Sequence, residues 1–223
     1  MAIKGFIFDL DGVITDTAEY HYQAWKALAD NKGWAFDRET NEQLRGISRL
    51  DSIGVIMREN GVSLDNTEVK ALAELKNDIY VKSLNEITPD DYLPGALRLL
   101  QALKSGGYKI ALGSASKNSQ KVLSRLQATS FFDVVADGNS VSKSKPDPAV
   151  FLFASDGLGL APEECVVVED AKSGVDAAIS GGFKSVGIGP YERVGHADLC
   201  FPDMSFTSVP YILNHFEGSN ITV

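Results

Sequence analysis

The sequence contains few of the residues on which several common protein classes depend. It has only two cysteines, Cys165 and Cys200, among its 223 residues, which argues against a disulfide framework and favours the reducing cytoplasm. Its histidines and cysteines form no cluster, so a zinc site is not expected. No apolar run approaches the roughly 20 residues of a membrane-spanning helix. Asp9 comes too early to leave room for the hydrophobic region of a signal peptide. We therefore expect a cytoplasmic protein that does not associate with membranes.

Basic residues are also in the minority. Lysine and arginine total 21 against 30 aspartates and glutamates, and the net charge is −9. This balance argues against a nucleic-acid partner, because binding a phosphate backbone requires a basic surface. A local basic pocket could still hold a small phosphate ester. Hydrophobic residues make up 44% of the chain, enough to bury a sizeable core.

The order of the predicted strands and helices indicates an α/β fold. Apolar runs at "IKGFIF", "YKIALGS", "DVVAD", "CVVVED" and "KSVGIG" are typical of buried strands, and amphipathic helices separate the last four. Such alternation predicts right-handed βαβ units and a Rossmann-like, doubly wound parallel sheet. No strand is predicted between residues 17 and 88. We therefore expect an α/β core of residues 1–15 and 89–223, with a helical cap of residues 16–88 inserted after the first strand.

Polar residues follow the predicted strands of this core directly. Ligands bind to open α/β sheets at the carboxyl ends of the strands, so these side chains should converge beside the cap. A lysine in the loop "SKSKPDP" should open onto the same edge. The residues are Asp9, Asp11, Ser114, Asp137, Lys145, Glu169 and Asp170. We expect Asp137 to be structural, and the others to form a site.

Several acids in one crevice repel each other unless a cation lies among them. Two like charges 4 Å apart cost roughly 4 kcal/mol at an effective dielectric constant near 20. A hard divalent cation removes this cost, and Mg²⁺ fits best where phosphate oxygens complete its coordination shell. Together with Lys145, one Mg²⁺ would leave the pocket positive enough for a phosphoryl dianion. An ionised aspartate could then attack phosphorus and form an aspartyl-phosphate.

Four motifs carry a resemblance to a known family. "DLDGVITDT", "GSASKN", "KSKPDP" and "VVEDAKSG" resemble, in order and spacing, the motifs of the haloacid dehalogenase superfamily of phosphoryl-transfer enzymes. The segments "TAEYHYQAWKAL", "NEQLRGISRLDS" and "LKNDIYVKSL" are similar to the cap of its glucose-phosphate mutases. The resemblance extends to about Gly189. It implies an isomerase of carbohydrate metabolism that interconverts β-D-glucose 1-phosphate and glucose 6-phosphate, with glucose 1,6-bisphosphate as intermediate and activator. We expect it to act as a monomer on small sugar phosphates.

The resemblance also implies roles for individual residues. Asp9 would be the nucleophile, and Asp11 would be the general acid and base. Mg²⁺ would be bound by Asp9, the backbone carbonyl of Asp11 and Asp170, with Glu169 in support. The residues implied to contact phosphate or sugar are Thr17, His21, Trp25, Arg45, Gly46, Arg49, Ser52, Lys76, Ser114, Ala115, Ser116, Lys117, Asn118 and Lys145.

Two groups within this set have distinct expected positions. Arg49 of the cap would bind the distal phosphate of the bisphosphate, opposite the core segment "SASKN". Thr17, His21 and Trp25 are spaced four residues apart and should share one helix face. If that face meets the core, His21 could reach Asp11 and couple proton transfer to closure of the cap.

Simpler explanations exist for several of these residues. An Asp-Gly pair such as Asp11-Gly12 often marks only a turn. Trp25 could belong to the core, His21 could be an interface residue, and Ser116 could do no more than cap the following helix. Two residues also depart from the pattern of the family: Arg45 stands where lysine is expected, and Ala171 stands where serine is common.

Two other functions remain open at this point. A phosphatase acting on sugar phosphates would need the same aspartates, lysine and Mg²⁺, so the core motifs cannot separate it from a mutase. A catalytically idle binding module is the other alternative, although every expected acid is present. Arg49 and "SASKN" favour the mutase, because a substrate with a single phosphate has no use for two phosphate sites.

Overall fold

The computed structural model describes residues 2–218 of the chain. Six strands form one sheet, in the order β3-β2-β1-β4-β5-β6, and every neighbouring pair is parallel. The strands are β1 Gly5–Phe8, β2 Lys109–Gly113, β3 Val134–Ala136, β4 Cys165–Glu169, β5 Lys184–Ile188 and β6 Leu199–Phe201. The predicted doubly wound α/β fold is therefore confirmed.

Ten α-helices accompany the sheet in the described part of the chain. They are α1 Ala18–Lys32, α2 Arg38–Glu42, α3 Arg49–Glu59, α4 Asn66–Ser83, α5 Ala96–Ser105, α6 Ser119–Arg125, α7 Ala149–Leu158, α8 Lys172–Ser180, α9 Tyr191–Val194 and α10 Val209–Glu217. Helices α1 to α4 follow one another without an intervening strand, as predicted. None of the helices within residues 2–218 has the length and apolarity needed to cross a bilayer.

Strand β1 lies at the centre of the sheet and is buried on both faces. Because side chains alternate along a strand, Phe6 and Phe8 pack with α5 and α6 while Ile7 packs with α7 and α8 on the opposite side. Full burial of each such side chain contributes about 1.5–3 kcal/mol. This central packing fixes the carboxyl end of β1, which Asp9 follows directly.

The helical segment has a hydrophobic cluster of its own, formed by Trp25, Leu28, Ile53, Ile56 and Leu72 with their neighbours. Other residues of the segment, Ala24, Tyr80, Leu84 and Ile87, pack in the cluster of the sheet, and the division into an α/β core and a cap at residues 16–88 stays a prediction. Trp25 belongs to the cluster of the helical segment, so the simpler explanation of that residue as a core member holds in part.

The two connections between the core and the helical segment lie side by side. Thr15 pairs with Tyr92 in an isolated antiparallel bridge, and the Leu93 N–H donates to the Ile14 carbonyl at 2.9 Å. The Thr15 hydroxyl also donates to the Asp91 carbonyl at 2.7 Å. The segment that leaves the core at Ile14 and Thr15 and the segment that returns at residues 91–93 are therefore hydrogen-bonded to each other, shortly after Asp9 and Asp11. We call this pair of segments the joint.

Candidate active site

A cavity of about 520 Å³ lies between the carboxyl edge of the sheet and the helical segment. Almost all of the predicted site residues line it. Those that do so are Asp9, Asp11, His21, Trp25, Arg45, Gly46, Arg49, Ser52, Lys76, Ser114, Ala115, Ser116, Lys117, Asn118, Lys145 and Asp170. The other two, Thr17 and Glu169, are buried behind this lining and bind residues within it. The structure thus brings together residues of the α/β core and of the helical segment.

The floor of the cavity holds a buried ion-pair cluster. One carboxylate oxygen each from Asp9, Glu169 and Asp170 lie within 4.8 Å of one another. The Lys145 Nζ donates to Asp9 Oδ1 and to Glu169 Oε1, both at 2.6 Å. Burial lowers the pKa of Lys145, but the charges of Asp9 and Glu169 outweigh this effect and raise it above its ordinary value. Lys145 is therefore charged at neutral pH.

Lys145 binds two of these three carboxylates, and Arg45 and Arg193 lie 3.3 and 3.5 Å from the third, Asp170. Burial raises the pKa of Asp9 well above its ordinary value, although Lys145 opposes the shift. Burial and the charge of Glu169 raise the pKa of Asp170 to about 7. These shifts show the cost of gathering three carboxylates away from water. A hard divalent cation with oxygen ligands fits this donor set, because it removes the repulsion between them.

Two glycines allow the carboxylates to approach so closely. Gly12 has φ +82°, and a Cβ placed there would overlap the carboxylate of Asp170. A Cβ on Gly174, in the first turn of α8, would overlap the carboxylate of Glu169. Glu169 is held in that place by the Ala171 N–H, which donates to its Oε2 at 2.7 Å. Bare backbone at both positions therefore provides the space for the acidic cluster.

Asp11 has surroundings different from those of Asp9. The Thr17 hydroxyl donates to Asp11 Oδ1. Burial raises the pKa of Asp11, and the hydrogen bond from Thr17 opposes the shift. Asp11 is thus bound by a hydroxyl, whereas Asp9 is bound by the ammonium of Lys145. The two aspartates are thus placed for different tasks.

The expectation that His21 reaches Asp11 is not met. His21 lies one turn beyond Thr17, and its Nδ1 is 2.7 Å from Lys76 Nζ. Burial and the charge of Lys76 lower the pKa of His21 well below its ordinary value, so the ring is neutral and Nδ1 can accept from the ammonium. Thr17 contacts Asp11 instead because it stands at the start of α1, nearer to the strand end.

Lys76 is a buried cation without a carboxylate partner among the described residues. Its Nζ lies 4.9 Å from the ring centroid of Trp25 and 4.6 Å from that of Tyr80. Burial and the charge of Arg49 lower its pKa to about 7. A nearby anion would offset the free-energy cost of burying the charge of Lys76. The roof of the cavity therefore favours a negatively charged ligand.

Arg49 of α3 and the core segment that follows β2 both line the cavity. The Arg49 guanidinium lies 3.0 Å from Glu74 Oε1. On the core side, Asn118 Nδ2 donates to Asn77 Oδ1 of α4 at 2.9 Å. Ser116 and Lys117 line the cavity beside Asn118. Cationic and polar donors from the helical segment and from the core thus line one cavity.

The comparisons with known proteins identify the family. A model described as haloacid dehalogenase-like hydrolase matches residues 3–182. The chain belongs to this family.

Relatives within the family cover nearly the whole chain. A β-phosphoglucomutase from Bacillus subtilis is 43% identical over 221 residues, which are 98% of each chain. The crystal structure of a β-phosphoglucomutase from Clostridium difficile matches with a TM-score of 0.93 and 42% identity, covering 96% of this chain and 97% of that one. A phosphorylated carbohydrates phosphatase from Thermotoga maritima is 30% identical over 82% of this chain and 84% of its own length. The recognised resemblance to haloacid dehalogenase-type mutases is confirmed.

Sequence reasoning missed three residues of this haloacid dehalogenase site. The Tyr80 hydroxyl is buried at the cavity and has no hydrogen-bond partner among the described residues. Asn77 contacts the core, and Arg193 contacts Asp170. The spacing of Lys76 and Tyr80, four residues apart on α4, could have indicated that both face the cavity. Arg193 carries no comparable signal. Asp137, predicted to be structural, accepts from the Asn139 N–H at 2.8 Å.

Proposed function

We propose that the protein is a Mg²⁺-dependent β-phosphoglucomutase that interconverts β-D-glucose 1-phosphate and D-glucose 6-phosphate. One observation supports the proposal: a single cavity is lined by candidate phosphate-binding residues from the core and from the helical segment. Lys145, which binds Asp9, and Ser114 belong to the core, and Arg49 is the first residue of α3. A bisphosphate intermediate needs two phosphate sites at once. The two similar β-phosphoglucomutases support the same proposal.

The proposed chemistry assigns separate roles to the two aspartates. Asp9 attacks phosphorus, the bond between phosphorus and the sugar oxygen breaks, and Asp11 gives a proton to that oxygen. In the second half of the reaction, the other phosphate-accepting hydroxyl of the sugar attacks the phosphorus of the phosphoaspartate. Asp11 takes the proton from that hydroxyl, and the bond between phosphorus and Asp9 breaks. Lys145 and Ser114 hold the phosphoryl oxygens in both halves. Because the bisphosphate can bind in either orientation, glucose 1,6-bisphosphate acts as intermediate and activator.

Enzymes of this family use Mg²⁺, and the acidic cluster fits one ion. Asp9, Asp170 and the backbone carbonyl of Asp11 would hold it, with Glu169 in support. When bound, the ion neutralises charge on the phosphoryl oxygens and on the surrounding carboxylates. Lys145 orients the carboxylates of Asp9 and Glu169 through its two hydrogen bonds.

A second candidate is a phosphatase that hydrolyses a small sugar phosphate. The similarity to the phosphorylated carbohydrates phosphatase favours this alternative, because that protein shares the family and most of the chain. The two functions differ in whether water or a sugar hydroxyl takes the phosphoryl group from Asp9. Closure of the helical segment over the cavity, which keeps water out, would favour the mutase.

The deciding experiment supplies purified protein with Mg²⁺, β-glucose 1-phosphate and a catalytic amount of glucose 1,6-bisphosphate. Glucose 6-phosphate and inorganic phosphate are both measured over time. We expect glucose 6-phosphate to form many times faster than phosphate. Steady release of phosphate without the isomer would establish the phosphatase and rule out the mutase.

Replacement of Arg49 by alanine tests the distal phosphate site. Losing a charge-assisted contact of about 1.5–3 kcal/mol should raise the half-saturating concentration of glucose 1,6-bisphosphate about 10- to 100-fold. Steady-state kinetics with varied bisphosphate measure this effect. Arg38 provides the matched control, since it is also paired with a glutamate but does not line the cavity. Unchanged kinetics in Arg49→Ala would place the distal phosphate elsewhere.

The remaining expectations complete the proposal. We propose that residues 16–88 act as the cap and that residues 1–15 with 89–223 form the catalytic core. The joint at Thr15 and Tyr92 is where the two would move relative to each other. We also propose a monomeric, cytoplasmic enzyme whose partners are small sugar phosphates rather than nucleic acids.

A further inference from the structure

Arg193 lies outside the four motifs of the sequence, yet it contacts Asp170 of the acidic cluster. It belongs to α9, the short helix that follows β5. Its Nε donates to the backbone carbonyl of Asp170 at 2.7 Å. One of its terminal nitrogens lies 3.5 Å from the Asp170 carboxylate. A single side chain therefore contacts both the backbone and the carboxylate of one proposed metal ligand.

The backbone around Arg193 provides space for this arrangement. Gly189 precedes α9 with φ +124°, and a Cβ on it would lie 2.7 Å from a terminal nitrogen of Arg193. A side chain at Gly189 would thus displace the guanidinium from Asp170. The planar fork of an arginine suits a role that needs two donors in fixed directions, whereas a lysine has only one compact ammonium group.

The same guanidinium extends the contact to the helical segment. Its other terminal nitrogen lies 3.7 Å from Glu42 Oε2 at the end of α2. Glu42 also binds Arg45, whose Nε is 2.7 Å from the same carboxylate. Arg45 in turn lies 3.3 Å from Asp170 Oδ2. Two arginines and two carboxylates thus form a closed ring that joins the helical segment to the edge of the sheet.

We propose that Arg193 is a positioning residue, which holds Asp170 in the orientation needed to bind the metal ion. The proposal rests on the Mg²⁺ site of the proposed function but not on the identity of the sugar phosphate. Groups that orient metal ligands from outside the coordination shell commonly contribute 10- to 100-fold to metal affinity. Here the bond from Nε to the Asp170 carbonyl restrains the backbone, and the nearby terminal nitrogen restrains the carboxylate.

Calorimetric titration of the metal-free full-length protein with MgCl₂, without any sugar phosphate, tests this role. Arg193→Ala should weaken Mg²⁺ binding at least about 10-fold. Removal of a positive charge alone would act in the opposite direction and strengthen cation binding. Affinity equal to or tighter than that of the wild type would therefore overturn the proposal.

Two further variants keep the test decisive. Glu42→Gln removes the ion pair between Arg193 and Glu42 but leaves Arg193 on Asp170. The Mg²⁺ affinity of this variant should stay within about twofold of wild type. A loss of affinity as large as that of Arg193→Ala would overturn the proposal. If Arg193→Ala does not fold, Arg193→Lys decides, with weaker binding supporting the role and wild-type binding overturning it. Failure of the mutase assay would leave this measurement intact, because it uses the metal ion alone.

Discussion

Replacing Asp11 by alanine is expected to lower turnover by about 10²- to 10⁴-fold, the usual contribution of general acid–base catalysis. The Asp11 carboxylate is bound by Thr17 and lies outside the carboxylate cluster of Asp9, Glu169 and Asp170. Its removal should therefore leave Mg²⁺ affinity within a few-fold of the wild type, because only the backbone carbonyl of Asp11 would bind the ion. Initial rates of glucose 6-phosphate formation and calorimetric titration with Mg²⁺ measure the two effects.

The contrast with Asp9 makes this prediction specific. Asp9→Ala should abolish turnover and also weaken Mg²⁺ binding, because it removes the nucleophile and a metal ligand together. Asp30, an exposed aspartate of α1 that pairs with Lys26, gives a matched control with near-normal rates. Equal losses of Mg²⁺ affinity in Asp9→Ala and Asp11→Ala would contradict the proposed division of roles.

Replacing Gly174 by alanine is expected to destabilise the protein by about 2–4 kcal/mol. The new methyl group would overlap the carboxylate of Glu169. Glu169 cannot move away without leaving Lys145 Nζ, at 2.6 Å, and the Ala171 N–H, at 2.7 Å. Disrupting a buried ion pair typically costs 3–5 kcal/mol, which exceeds the gain of about 1 kcal/mol from the higher helix propensity of alanine.

Gly54 offers the matched control for this substitution. It lies inside α3, and a Cβ added there would meet nothing within 4 Å. Gly54→Ala should therefore stabilise the protein by about 0.5–1 kcal/mol through helix propensity alone. Urea unfolding of both variants measures the free energies. If Gly174→Ala were as stable as Gly54→Ala, Glu169 would not be held as tightly as its contacts indicate.

The opening segment "FIFDLDGVITDT" shows how far local sequence carries the interpretation. An apolar run that ends at charged residues predicted the buried strand β1, and the parallel topology predicted that the residues after several strands would meet. Both predictions are confirmed, because hydrophobic alternation and strand polarity are properties of the local chain. The distinct surroundings of Asp9 and Asp11 follow from the same short segment, since they lie two residues apart at the point where the strand ends.

His21 and Tyr80 show where sequence reasoning was insufficient. Helical spacing correctly placed His21 on the face of α1 that meets the cavity, but it could not say which neighbour the ring would contact. That choice depends on α4, which brings Lys76 and Tyr80 against the ring. The contact between His21 and Lys76 joins residues 55 positions apart and is a tertiary property.

The sequence by itself determined which residues are candidates for the site. The candidate nucleophile, the acids at the end of β4, the lysine in its loop and the candidate phosphate-binding segment all stand at positions set by local pattern and motif. Only the tertiary structure decided how these groups are held. The contact of Arg193 with Asp170 joins residues 23 positions apart, and that of Arg45 with Asp170 joins residues 125 positions apart. Such contacts depend on how the layers of the fold pack, which no single motif encodes. Short motifs therefore identify the candidate reactive groups, while the packing of the fold sets their positions.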